Sequence, residues 1–287
     1  MVTSPSFSII TPSFRHLEWL RLAIASVEDQ EQATVEHIVQ DAGSEGIGDL
    51  IKETTTRDPR RRLNLFAEKD SGMYDAINKG LGKSRGDICL QLNCDEQLLP
   101  GALQRVAEFF ANHPKVDIAF GGSVVVDANG NYICTRAGIV PWQILTDLQH
   151  MSTLTCATFF SRKFIEKHSL YFDPRYCGAG DSDWLRRAIH LHARLVKMPF
   201  LTSAFFDTGK NLCLSPEHRA ETAAIRQRWP FVMRLLYPFL VTAHRARRFL
   251  LGDYSRGPFD YEIYTPRDPI KRTRFHVPRA TGVWWNR

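Results

Sequence analysis

Carboxylates at the ends of short apolar runs are the residues of this chain best suited to chemistry. In Gly-Asp-Ile-Cys-Leu-Gln-Leu-Asn-Cys-Asp-Glu (86 to 96), Ile88, Leu90 and Leu92 alternate with Asp87, Cys89 and Gln91, and the run ends at Asn93, Asp95 and Glu96. A buried strand that delivers carboxylates at its C-terminal end is where an open α/β sheet places its ligand site. The oxygens of Asp95 and Glu96 suit a hard cation and a phosphate, although a strand followed by a polar turn would read the same way. Asp41 follows the run Val35 to Val39, in Gln-Asp-Ala-Gly-Ser, and Asp70 follows Leu63 to Ala67, in Glu-Lys-Asp. Three acids at one sheet edge predict a concave polar site. Asp181 and Asp183 open a later helix, where the helix dipole alone would favour them.

These acids need strands and helices to carry them. Phe7 to Thr11 reads as a strand stopped by Pro12 and Ser13, and Leu17 to Val27 has helical apolar spacing. A weaker helix spans Gly48 to Arg57. Ser71 is the expected N-cap of a helix from Gly72 to Leu81, closed by Gly82. Strand and helix alternating at this spacing predict βαβ units and a mainly parallel sheet. Further along, Val116 to Val126 is a strand and Asp127 to Asn131 a hairpin turn. Thr158 to Ser161 is a short strand before a helix to His168. Cys177 to Gly180 reads as a flexible link to a helix from Trp184 to Leu191. Two strands, Arg194 to Lys197 and Thr202 to Phe206, precede a helix from Glu217 to Trp229. Val140 to Thr155 has no clear pattern.

The 287 residues are 44% hydrophobic and 24% charged, as in globular proteins with a sizeable core. A net charge of +6 fits nucleic acid, an anionic membrane surface or a phosphorylated ligand without choosing among them. Charge alone is a weak case for nucleic acid, and none is expected as a partner. Six cysteines without a CxxC pair are expected to be reduced, which points to the cytoplasm. No signal peptide is seen, and no apolar stretch reaches the ~18 residues of a membrane span. From Arg226 to Leu250 there are six arginines and no Asp or Glu, interleaved with aromatic residues. Such a segment suits the surface of an anionic membrane, which would make the protein peripheral at the inner face; a helix packed on the domain with a solvated basic face fits as well. Beyond Gly252 the tail reads as extended or loosely packed. The expected division is therefore a domain over 1–225 and a basic, aromatic-rich extension over 226–287.

With these fragments in order, the chain resembles the inverting nucleotide-sugar glycosyltransferases of family 2. Phe-Ser-Ile-Ile-Thr-Pro-Ser-Phe (7 to 14) is similar to that family's opening strand, and Glu-His-Ile-Val-Gln-Asp-Ala-Gly-Ser (36 to 44) to its second strand and nucleotide-binding acid. Glu-Lys-Asp-Ser-Gly-Met-Tyr-Asp-Ala-Ile-Asn-Lys-Gly (68 to 80) is the most specific match. Residues 86 to 96 occupy the place of the Asp-x-Asp metal motif. Ala-Thr-Phe-Phe (157 to 160), Phe-Asp-Pro (172 to 174) and Gly-Asp-Ser-Asp-Trp-Leu-Arg-Arg (180 to 187) follow in the family's order.

The resemblance implies a GT-A fold, an α/β Rossmann-like mainly parallel sheet flanked by helices, here with a helical basic C-terminal extension. It implies a nucleotide-sugar donor, a glycan or lipid-linked sugar acceptor, a divalent cation (Mg²⁺ or Mn²⁺), and a role in surface polysaccharide or glycolipid assembly. Thr11, Pro12 and Asp41 resemble residues that hold the nucleoside, Asp70 a second acidic contact, and Lys79 a basic group near the diphosphate. Asp95 resembles the metal-binding carboxylate, with Glu96 as helper, and Asp181 the general base. The chemistry suits these types: a cation neutralises the leaving diphosphate, and a second carboxylate accepts the acceptor's proton. A single displacement inverts the anomeric carbon. Departures are Asn93 for the first acid of the metal motif, where its amide can still bond ribose or water, Thr155 where related chains carry His, and Thr208 to Leu212 for a glycine pair and serine. They leave open a catalytically degenerate nucleotide-sugar-binding protein. A dinucleotide-dependent oxidoreductase would need Gly-x-Gly-x-x-Gly after the first strand, where this chain has Thr-Pro-Ser-Phe.

Overall fold

The protein is described here from a computed structural model covering residues 4–57, 63–209 and 211–284. The first half alternates: β1 (Phe7–Ser13), α1 (Leu17–Glu28), β2 (Val35–Asp41), α2 (Ile47–Arg57), β3 (Leu63–Ala67), α3 (Met73–Lys83), β4 (Ile88–Gln91) and β5 (Glu96–Leu98). Then come α4 (Ala102–Asn112), β6 (Ile118–Asp127), β7 (Tyr132–Arg136), α5 (Gln143–Asp147), β8 (Thr158–Ser161), α6 (Arg162–His168), α7 (Gly180–His190) and β9 (Leu195–Asp207). The chain ends with α8 (Pro216–Gln227), α9 (Phe231–Leu250), β10 (Ser255–Arg256), β11 (Phe259–Thr265), β12 (Asp268–Val277) and β13 (Ala280–Thr281).

The main sheet has the order β3-β2-β1-β4-β8-β6-β9-β5, with β7 beside β6. β3, β2, β1 and β4 are mutually parallel, as the βαβ reading requires. β8 then enters antiparallel between β4 and β6. Ser13 pairs with Asp41 and Asp41 with Ala67, so the carboxyl ends of three strands lie side by side. Successive strand residues face opposite sides of a sheet, which splits the core in two. Ile9, Leu90 and Phe159 pack with Leu103 and Val106 of α4 on one face. Ile10, Cys89 and Phe160 pack with Ile77 of α3 and Trp184 of α7 on the other. Gly80 lets α3 lie this close, since a Cβ there would sit 2.4 Å from Ile10 Cγ2.

Several local expectations change. β1 does not stop at Pro12. The Ile10 carbonyl accepts from Leu92 N–H (2.9 Å), so Pro12, two residues on, turns its missing donor to the side where β4 has ended. The N-cap of α3 is Gly72, whose φ is 133°, and no side chain caps it; the helix runs through Gly82 to Lys83. β9 is one strand of 13 residues, not two, because its register against β6 shifts between Phe120 and Gly122 and accommodates Pro199 there. The tail beyond Gly252 is extended but not loose. Tyr261, Ile263 and Val277 of the β11–β12 hairpin share a buried cluster with Val124, Ala204 and Phe206. Gln97 seals it, donating to the Tyr264 carbonyl (2.8 Å) and accepting from its N–H (2.9 Å).

Candidate functional site

The carboxyl ends of β1 and β2 open into a cleft of about 560 Å³ lined by Phe14, Arg15, Leu17, Gly43, Ser44 and Glu45. Asp41 builds one wall. Its Oδ1 accepts from the N–H groups of Gly43 (2.9 Å) and Ser44 (2.6 Å), and its Oδ2 from the Ser44 hydroxyl (2.8 Å). This is the turn that Asp forms with its own following backbone. The carboxylate is wholly buried and committed to the turn. Ser44 reaches the opposite wall, accepting from Arg15 N–H at 2.7 Å. Phe14 is 49% exposed with the Arg15 guanidinium over its ring at 4.6 Å, a flat surface on which a base can stack. Phe14 and Arg15 were not singled out from the sequence. Pro12 is buried at the root of the cleft beside Gln40. Thr11 does not face it: its hydroxyl bonds His37 Nε2 at 2.8 Å inside the sheet.

Next along the edge, Asp70 accepts from Gly72 N–H (3.0 Å) and Asp75 from Ser71 N–H (2.9 Å), so two carboxylates hold the turn into α3. Burial raises the Asp70 carboxyl above its ordinary range, and the charges of Asp75 and Asp41 add to this. Lys79 lies one turn further on, 3.3 Å from Asp75, and donates to the Lys69 carbonyl (2.6 Å). It ties the turn to the helix.

The turn after β4 separates the two neighbouring acids. Glu96 N–H donates to the Asn93 carbonyl (3.0 Å), and Asn93 N–H donates to Glu96 Oε2 (2.7 Å). Glu96 is thus folded inward, only 1% exposed, beside the Cys156 thiol. Burial pushes its carboxyl up to about 8, with the Asp95 charge adding to the effect. Asp95 remains partly exposed at the tip. Burial raises its carboxyl too, while His16 lowers it. Asn211, after β9, donates to the Phe206 carbonyl (2.8 Å) and reaches Asp95 Oδ2 at 3.4 Å. Asn93 accepts from the Gln91 side chain (3.2 Å). Lys210, within the Thr208 to Leu212 departure, lies outside the described residues.

Among the described residues no three His, Cys, Asp or Glu side chains converge as a metal cage. One partly exposed carboxylate, Asp95, is a donor of the type that a cation arriving with a diphosphate would need. Mg²⁺ is commonly held by one or two carboxylates plus substrate phosphate and water.

Asp181 stands in the first turn of α7. Its Oδ1 accepts from Ser182 N–H (2.9 Å) and from the Tyr74 hydroxyl (3.4 Å), and its own N–H donates to that hydroxyl oxygen (3.2 Å). Tyr74 is buried and stacked in series with Phe172 and Trp184. A Cβ at Gly180 would lie 2.6 Å from the Tyr74 ring, so glycine there is required by the tyrosine. Asp181 lines a cavity of about 20 Å³, roughly one water, with Gln91, Thr155, Thr158 and Trp184. Burial raises its carboxyl above the ordinary range, which makes it a better proton acceptor. Asp183, by contrast, is buried and ion-paired to Arg186 and Arg187 at 2.8 Å each, a structural role.

The link to α7 is anchored from a distant helix. Glu221 of α8 accepts from three consecutive backbone N–H groups, Cys177 (2.8 Å), Gly178 (2.9 Å) and Ala179 (2.8 Å). Glu221 and Tyr74 are the residues that sequence reasoning missed here. Tyr74 lay inside the quoted 68 to 80 segment; Glu221 carried no local signal. The motif's Asn78 is also a clamp, donating to the Phe172 carbonyl (2.7 Å) and accepting from its N–H (2.9 Å). Asp41 and Asp70 are brought together, Asp95 follows on the same edge, and Asp181 meets the edge through Tyr74. Glu96 and the Thr11 side chain turn away.

Comparison with known proteins agrees with this geometry. The model of the family "Glycosyl transferase family 2" matches residues 8–186. A PGL/p-HBAD biosynthesis glycosyltransferase of Mycobacterium bovis is 29% identical over 129 residues, 45% of this chain and 50% of that protein. The O-antigen biosynthesis protein RfbC of Myxococcus xanthus is 30% identical over 130 residues, 44% of this chain and 10% of that one. The chain thus spans at most about half the length of these relatives. Among solved structures, S. aureus TarS 1-349 in complex with UDP-GlcNAc superposes with a TM-score of 0.58 at 15% identity, covering 76% of this chain and 64% of that one. The mannosyltransferase PcManGT from Pyrobaculum calidifontis, in complex with GDP-Man and Mn²⁺, gives 0.55 at 15% identity, over 76% and 60%. At such identities the superpositions show the fold alone. The family match covers more than half of the chain, and with the sheet order it shows that the chain belongs to glycosyl transferase family 2 and has the GT-A fold.

Proposed function

We propose that this protein is an inverting glycosyltransferase that moves a sugar from a nucleoside diphosphate to a hydroxyl of a glycan or lipid-linked acceptor in surface polysaccharide or glycolipid assembly. The observation that carries the reading is Asp181, a carboxylate raised by burial, fixed by Tyr74 and Ser182, and facing a cavity at the sheet edge. In this reading the base stacks on Phe14 in the cleft whose wall Asp41 holds. Asp70 and Lys79 shape the turn that flanks the diphosphate. Asp95 would hold a divalent cation together with diphosphate oxygens, and that cation neutralises charge on the leaving group when bound. Glu96 positions Asp95 through the closed turn. As the acceptor oxygen attacks the anomeric carbon, its proton passes to an Asp181 oxygen and the bond to the diphosphate breaks. One displacement leaves the anomeric configuration inverted.

UDP- and GDP-sugars are the first donors to try, since related folds were solved with UDP-GlcNAc and GDP-Man. Asp181→Asn should lower transfer by about 10²–10⁴-fold while changing donor affinity by less than about twofold. Loss of donor binding together with transfer would sink the base assignment. Donor binding by the native protein without transfer to any acceptor would favour the degenerate binder. The anomeric configuration of the product, read by NMR, tests inversion.

A further inference from the structure

We infer that α9 docks lengthwise on an anionic lipid bilayer. The helix has 20 residues and is therefore about 30 Å long. One face buries His244 and Arg248 and packs Tyr237 and His244 against His150. The opposite face carries no charge, and its exposed residues are mostly large and apolar. Phe231 is 77% exposed, Phe239 69% and Leu250 83%, with Val232, Leu235 and Phe249 exposed between them. At 100° per residue, positions 231, 235, 239, 242, 246 and 249 fall on one stripe, and none of them is charged. Water-facing phenylalanines and leucines clustered toward both ends of the stripe, with Thr242 and Ala246 between them, mark an interaction surface.

The flanks identify the partner. Arg234 and Arg245 are exposed on the helix beside the stripe, and Arg228 is exposed just before its first turn. No Asp or Glu occurs from Thr222 to Gly252. A second copy bound face to face would set like charges against each other, because a two-fold interface presents the same patch from both sides. An anionic headgroup layer over acyl chains matches both features, apolar stripe and cationic margin. No helix among the described residues is long and apolar enough to cross a membrane, so the helix would lie in the interface. The inference does not depend on the transfer chemistry.

The test is co-sedimentation of the full chain with vesicles of phosphatidylcholine carrying about 30% phosphatidylglycerol. The protein should bind these vesicles and bind pure phosphatidylcholine far more weakly. The triple variant Phe231→Ser, Leu235→Ser, Phe239→Ser should lower the partition coefficient at least about tenfold, with an unchanged circular dichroism spectrum. Arg228→Gln and Arg245→Gln, which leave the stripe intact, should each lower it roughly fivefold. Failure to bind anionic vesicles overturns the inference, as does equal binding by the Arg variants. A concentration-dependent dimer in analytical ultracentrifugation that the triple variant dissolves would assign the stripe to a second copy instead.

Discussion

Glu221→Ala tests whether the loop before α7 is built by one distant carboxylate. The carboxylate accepts three backbone N–H bonds of 2.8–2.9 Å from the loop before α7, and α8 buries no side chain completely. Hydrogen bonds to a charged acceptor contribute about 1.5–3 kcal/mol each when shielded. Cys177 is exposed, and water replaces its bond in the variant. The other two are part-buried; at about 1 kcal/mol each after solvent screening the loss is ~2 kcal/mol. That corresponds to a melting temperature roughly 3–4 °C lower, if the loop unfolds with the domain. If it opens locally, the amides of Cys177, Gly178 and Ala179 should exchange about thirtyfold faster, the factor equivalent to 2 kcal/mol. Hydrogen exchange read by mass spectrometry, alongside a thermal melt, distinguishes the two. Glu221→Gln keeps an acceptor oxygen and should lose less than Glu221→Ala. An unchanged melt together with unchanged exchange at these three amides would refute the reasoning.

Two further outcomes are expected. Tyr74→Phe removes a hydroxyl that donates to Asp181 and holds its proton affinity down, so the acid limb of kcat/KM should move to higher pH, with the melting temperature a few degrees lower; an unmoved limb would detach Tyr74 from the base. His37 is wholly buried, and burial pushes its imidazole down to about 3 from 6.5. The unfolded chain therefore binds a proton that the folded one refuses between pH 6.5 and about 3, and stability present above 6.5 is lost as pH falls through that window. At pH 5 the loss is ~2 kcal/mol. His37→Gln, which can still bond Thr11, should lack this component in denaturant titrations at pH 7 and pH 5, and parallel curves for both proteins would contradict it.

Much of the acidic sheet edge was legible because its signals are local. Short apolar runs leading to Asp41, Asp70 and Asp95, with helical spacing between them, specify parallel βαβ units and bring their ends to one edge. The Asp41 turn was readable for the same reason, since its three donors lie within three residues of it. The alternation of Phe259, Tyr261 and Ile263 was an equally local signal for a packed strand in the tail, masked by the arginines and prolines around it. Pro12 misled because a strand tolerates proline wherever the neighbouring strand has ended, and only the assembled sheet says where that is.

What the chain alone determined was therefore the fold class, the order of the strands that carry the acids, and which residue types stand at the edge. What only the tertiary structure decided was where each side chain turns. Asp95 and Glu96 are neighbours in sequence, yet one reaches the rim and the other closes the turn beneath it. Tyr74 meets Asp181 across 107 positions, and Glu221 holds Gly178 across 43. The physical reason is that periodicity and turn chemistry depend on a few successive residues. A hydrogen bond between distant residues depends on the packing of every element between them.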